Sequence, residues 1–142
     1  MVSAVPAGEV IARDERKGMA LRRTDGPLRL AYRVSGIYPG DTWSGRHATY
    51  TRLRCRGGSV TAEVASDPLL FSGPQTVRAA GRSVTFDPSN AGSLTVPLRP
   101  RNGVCSVVYT VTPTAVPARV LKGSSDSREL GVHFLAFRYA AP

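Results

Sequence analysis

The chain is 142 residues long, 42% hydrophobic and 20% charged, with a net charge of +9. That length fits one domain with room for a single core, and the composition excludes wholesale disorder. Nearly all of the positive charge is arginine, Lys17 and Lys122 being the lysines, and the balance favours anionic partners such as phosphorylated lipids, acidic glycans or nucleic acid.

No run approaches the length of a membrane-spanning helix, and MVSAVPAGEV has neither the basic start nor the apolar stretch of a secretory signal. Residues 1–26 read as a lead-in and 27–142 as the body of a single domain. In the lead-in, Glu9, Arg13, Glu15 and Lys17 offer helix-like charge pairing. Gly18 and the modest apolar content favour an extended entry instead.

The first firm strand is LRLAYRV, with Leu28, Leu30, Tyr32 and Val34 on one face and Arg29, Ala31 and Arg33 on the other. After it comes the loop GIYPGDTWSGRH, which gathers Tyr38, Asp41, Trp43, Arg46 and His47. Aromatic faces stack on sugar rings and Asp or Arg hydrogen-bonds hydroxyls, so the mix suits a carbohydrate site. The plainer alternative has Trp43 plugging one end of the domain and Asp41 stabilising a turn.

Cys55 follows in RLRCRGG, where alternation puts Leu53 and Cys55 on the apolar face and Arg52, Arg54 and Arg56 on the other. With Arg29 and Arg33, those arginines would form one basic patch if their strands share a sheet. SVTAEVAS then alternates with Val60, Ala62 and Val64 inward and Thr61 and Glu63 outward. TVRAA and SVTF read as a tight hairpin turning at Gly81 and Arg82. SLTVPL carries Leu94, Val96 and Leu98 on one face, and Pro97 on the other marks an edge or a strand end.

In VCSVVYTVT, Cys105 is in phase with Val107, Tyr109 and Val111. One cysteine closes its strand and the other opens its own, so neighbouring antiparallel strands would bring both to one end of the domain. A Cys55–Cys105 bridge is expected there, and with it an oxidising, extracytoplasmic setting; the alternative is a pair of buried thiols. GSSDSREL supplies Ser125, Asp126, Arg128 and Glu129 ahead of the last run, where turn capping and an Arg–Glu pair compete with ligand binding. GVHFLAFRY is apolar on both faces, as for a central strand covered on each side.

Turn signals at Gly26-Pro27, Pro39-Gly40, Gly57-Gly58, Asp67-Pro68, Gly73-Pro74, Asp87-Pro88 and Asn102-Gly103 separate these runs. Short strands punctuated this densely indicate an all-β fold: a two-sheet antiparallel β-sandwich, jelly-roll-like, of about eight strands. No catalytic constellation rises above background. His47 and His133 have no carboxylate or cysteine at metal-ligand spacing, and Ser44, Ser124, Ser125 and Ser127 lie outside any nucleophile-elbow motif. No catalytic function, cofactor or metal is therefore expected. Exposed aromatics interleaved with the basic surface are few, which argues against nucleic acid as a partner.

The ordered set GIYPGDTWSGR, a sandwich body and ARVLKGSSDSRELGVHFLAFRY resembles the C-terminal β-sandwich module of bacterial, chiefly actinobacterial, membrane-associated glycosyltransferases. Their G-x-Y…W-x-G segment corresponds to Gly36, Tyr38, Trp43 and Gly45. Their D-x-R-x-L-G-[VI] segment corresponds to Asp126, Arg128, Leu130, Gly131 and Val132. The resemblance implies an extracytoplasmic accessory domain that binds cell-envelope glycan or packs against the transferase's catalytic or membrane domain, its export signal or anchor lying outside this chain. Tyr38, Asp41, Trp43, Arg46, Asp126 and Arg128 are then the candidate ligand residues. The alternative is an interaction sandwich that docks a partner protein or an anionic membrane surface without binding sugar.

Overall fold

A computed structural model describes residues 2–6, 8–14, 19–23 and 30–142. Expectations resting on Glu15, Lys17, Gly18, Leu28 and Arg29 lie outside the described residues.

Three strands make up the lead-in: β1 (Val2–Pro6), β2 (Glu9–Asp14) and β3 (Met19–Arg23). The body follows as β4 (Leu30–Ile37), β5 (Ser44–Leu53), β6 (Ser59–Ala65), β7 (Gln75–Ala79), β8 (Arg82–Phe86), β9 (Ala91–Pro97) and β10 (Val104–Thr112). A single helical turn, α1 (Pro117–Val120), precedes the last strand, β11 (His133–Ala140). All strand pairs are antiparallel. Among the described residues, one sheet has 6 strands in the order β1-β4-β5-β10-β7-β8, the other has 3 in the order β11-β6-β9, and β2 and β3 pair only with each other. The chain steps between sheets from β5 to β6 to β7, and again from β8 through β9 and β10 to β11. That alternation lays the two sheets against each other as the expected antiparallel sandwich.

The core lies between the two sheets. Val60, Ala62 and Val64 of β6 and Leu94 and Val96 of β9 face Ala48 and Tyr50 of β5, Val77 of β7, and Val107, Tyr109 and Val111 of β10. These are the residues that period-2 alternation assigns to the inside. Thr61 and Glu63 point outward, Thr61 hydrogen-bonding Thr95 at 2.7 Å and Glu63 pairing with Arg138 at 2.6 Å. Pro97 ends an edge strand, where its missing N–H costs no ladder bond.

The Cys55–Cys105 disulfide is present, with its Cα atoms 5.6 Å apart and both residues buried. The phase that suggested it needs correction. Arg52 lies in phase with Tyr50, on the inner side, and its guanidinium sits 3.5 Å over the Tyr139 ring of the opposite sheet. Leu53 is therefore on the outer side. The parity resets because the strand ends there and Arg54 adopts φ 49°, which turns Cys55 inward. Arg33, Arg54 and Arg56 are exposed, so the expected basic patch loses Arg52.

Two further expectations shift. The β7–β8 turn residues are Ala80 (φ 48°) and Gly81 (φ 74°), one position earlier than Gly81 and Arg82. β11 is an edge strand of its sheet, contrary to a central one. Its apolar residues fall on both faces because a bulge at Leu135 breaks the alternation. Phe134 pairs with Val64 and Ala136 with Glu63, so Phe134, Phe137 and Tyr139 all turn inward while Leu135 is 54% exposed.

Candidate functional site

The β4–β5 loop and the segment before β11 are about 90 residues apart in sequence but meet at one pole of the sandwich. Backbone bonds bring them there: Ser44 N–H donates to Val132 O at 2.9 Å, Gly131 N–H to Ser44 O at 2.7 Å, and Phe134 N–H to Thr42 O at 2.9 Å. Gly131 permits the approach, because a Cβ at that position would stand 2.8 Å from Ser44 Oγ. Gly36 serves the same pole. It bulges β4 at φ +81° directly under the His47 carbonyl, where a side chain would collide.

Beneath the pole lies Gln75, a fully buried amide. Its Nε2 donates to Pro113 O at 2.9 Å and to Gly131 O at 2.8 Å, and its Oε1 accepts from Ser66. One neutral side chain thus ties the β6–β7 loop, the end of β10 and the approach to β11.

Above it, four of the six candidate residues, Tyr38, Asp41, Asp126 and Arg128, converge, while Arg46 and Trp43 stand in neighbouring clusters. Arg128 is the centre: Nη1 donates to Asp41 Oδ2 at 2.7 Å, Nη2 to Asp126 Oδ2 at 2.7 Å and Nε to Asp126 Oδ1 at 3.0 Å. Its guanidinium carbon lies 4.9 Å from the centre of the Tyr38 ring, and the Tyr38 hydroxyl donates to Glu129 O at 3.1 Å. Asp41 closes its own turn by accepting Trp43 N–H at 2.9 Å, as Asp126 does with Arg128 N–H at 3.0 Å. Arg46 stands in a second cluster, donating to Glu129 Oε1 at 2.8 Å, which also accepts from Thr114 Oγ1 at 2.5 Å.

Trp43 is half-buried. It packs with Leu70, Phe71 and Leu130 in a small apolar cluster apart from the main core, and its ring centre is 3.7 Å from that of His133. His133 Nδ1 shares a 2.7 Å hydrogen bond with Thr42 Oγ1.

The electrostatics follow from these contacts. The Arg128 side chain, then its backbone N–H, hold the Asp126 carboxyl below its ordinary pKa. The Thr114 hydroxyl, followed by Arg46, does the same for Glu129. Arg128 is raised further by Asp126 and then Asp41. Desolvation lowers His133, keeping it neutral near pH 7. Both carboxylates are thus held ionised by partners already in place, which disposes them toward joining loops and away from proton transfer at neutral pH. An opening of about 440 Å³ lies beside Arg46, Glu129, Arg119 and Val120. Among the described residues no group of three or more His, Cys, Asp and Glu converges as a metal site.

Thr114, Phe71 and Gln75 were not anticipated. Thr114 and Phe71 carry no local signal, because their partners are distant in sequence. Gln75 did carry one: it shares the inward phase of Val77 and Ala79, and a polar residue there must find partners. Comparison with protein-family models, with curated proteins and with solved structures returns no match to this chain.

Proposed function

We propose that the chain is a non-catalytic, extracytoplasmic interaction domain that docks an acidic partner. It would be an accessory sandwich of the kind found with envelope glycosyltransferases. The observation that carries this reading is the division of charge. Asp41, Asp126, Glu129 and Glu63 are paired with Arg128, Arg46 and Arg138. Arg33, Arg54, Arg56, Arg78, Arg99 and Arg101 are exposed and outside any ion pair among the described residues. The surface field that results is positive and attracts anions. The buried disulfide supports the compartment, since such bonds persist where the medium is oxidising.

Calorimetric titration with acetylated, amidated oligoglutamate tests the reading. Binding is expected at low salt and weakens roughly tenfold on raising salt to about 0.5 M, as screening of exposed charge requires. No binding at low salt overturns it. The gathering of Tyr38 and half-buried Trp43 around Leu70, Phe71 and Leu130 favours a second reading, a glycan site. Salt-insensitive binding of a neutral oligosaccharide, lost in Trp43→Ala with the fold intact, would establish that one instead.

A further inference from the structure

β10 is paired along nearly its whole length on one side and along only a fraction of it on the other. Toward β5 the ladder runs from Val104↔Leu53 to Thr110↔His47. Toward β7 it covers Thr110↔Arg78 to Thr112↔Thr76, after which β7 turns away through Ala80 and Gly81. At the head of the strand Val104 exchanges two main-chain bonds with Arg101, at 2.8 and 3.0 Å, across the Asn102-Gly103 turn.

Successive residues of a strand direct their N–H and C=O to alternate sides. The Gly103 carbonyl accepts from Cys55 N–H at 2.7 Å, on the β5 side, so Val104, Ser106, Val108 and Thr110 all address the opposite edge. Val104 is satisfied by Arg101 and Thr110 by Arg78. Ser106 and Val108 have no main-chain partner there among the described residues. The break covers the five residues between Val104 and Thr110, which stand about 20 Å apart at strand spacing, and has room for about four residues of added strand.

A cleft of about 610 Å³ lies over this break, lined in part by Ala80, Pro97, Arg99, Arg101, Val104 and Val108. Among the described residues no carboxylate lines it, and both arginines are exposed and outside any ion pair. An unpaired strand edge is ordinarily blunted by a charge on the strand itself, a proline or a bulge. This one has Ser106 and Val108 on it, both exposed, Val108 at 54%.

We propose that this break in the six-stranded sheet is a binding groove for an extended acidic peptide. The peptide adds a short antiparallel strand against Ser106 and Val108 and sets its carboxylates on Arg99 and Arg101. Its side chains alternate, so acidic residues at the arginine rim are spaced by apolar residues over the exposed Val104 and Val108. The inference rests on the docking reading above and gives that reading a location and a partner chemistry.

The test uses the full chain and an acetylated, amidated peptide alternating Glu and Val, followed by amide hydrogen exchange. Saturation is expected to slow exchange at Ser106 and Val108 by at least about tenfold, since solvated strand-edge amides become bonded. Ser106→Pro removes a donor that faces the groove and spares the β5-facing donors at Cys105 and Val107, so it should weaken the peptide roughly fivefold with the sheet intact. Arg99→Glu with Arg101→Glu should weaken it further.

Binding that leaves both amides unprotected overturns the groove, whether or not Ser106→Pro folds. So does a folded Ser106→Pro that binds as the parent does while charge reversal abolishes binding. In either case docking of acidic partners stands. Failure of both oligoglutamate and the alternating peptide to bind overturns the docking reading together with the groove.

Discussion

Tyr109 shows how a single residue limits stability. Its ring is fully buried against the stacked pair Phe134 and Phe137, and its hydroxyl has no hydrogen-bond partner among the described residues. Burying an unpaired hydroxyl costs stability, so Tyr109→Phe is expected to raise unfolding free energy by up to about 1 kcal/mol in urea titrations. The same burial pushes the Tyr109 phenol well above its ordinary pKa, and burial raises Tyr50 too. An unfolded chain releases these protons near pH 10 while the folded one retains them, so stability is full below that pH and falls as pH climbs above it. Denaturation curves across that range should show a shallower fall for Tyr109→Phe, by up to about 1.4 kcal/mol per pH unit. A steeper fall, or a large loss of stability at neutral pH, would contradict this. Residues of this kind were legible in part. Inward phase placed Tyr109, Val107 and Val111 correctly, but phase says nothing of whether a hydroxyl finds a partner. Alternation also misplaced Arg52, because the positive φ of Arg54 that resets parity at Cys55 is invisible in residue types.

Among the elements, β5 and β10 form the axis of the larger sheet, and their disulfide closes a loop with a sequence separation of 50. Replacing both cysteines with alanine should lower stability by about 4 kcal/mol on loop-entropy grounds, read as a fall in the urea midpoint; an unchanged midpoint would show that the unfolded chain is already confined. The loops at the pole behave differently. Asp126 and Glu129 titrate below their ordinary values, so the stabilisation they give is complete above the ordinary carboxylate range and is lost as pH falls from there through their lowered values. Because these pairs are largely exposed, Asp126→Asn is expected to lower Tm by a few degrees at most at pH 7. Its Tm should also vary less than the parent's from about pH 7 to pH 3. Thermal scans in that range check both, and parallel profiles would argue against the latch. Turn chemistry made Asp41 and Asp126 readable as loop residues. That Arg128 joins them is a consequence of topology, which places the β4–β5 loop beside the segment before β11. The bulge at Leu135 was equally hidden: it makes an edge strand look like a buried one.

Across the whole molecule, composition and punctuation were enough for the class of fold, since alternation and turn spacing repeat through the body. They could not reveal where pairing stops. The open stretch of β10 exists because β7 is short and the Asn102-Gly103 turn returns only Arg101 to the edge, and neither fact is written locally in VCSVVYTVT. Charge has a similar logic. Its total was evident from composition, whereas its division into a neutralised pole and an arginine-bearing remainder needed the fold. That division sits on different foundations at its two levels. Arg128, Asp41 and Asp126 form a rim that ions in the medium can compete for, while Gln75 beneath them is neutral, buried and satisfied by Pro113, Gly131 and Ser66. At high salt the rim would loosen and the base would not, so the loops would regain their place on dilution without the sandwich ever having opened.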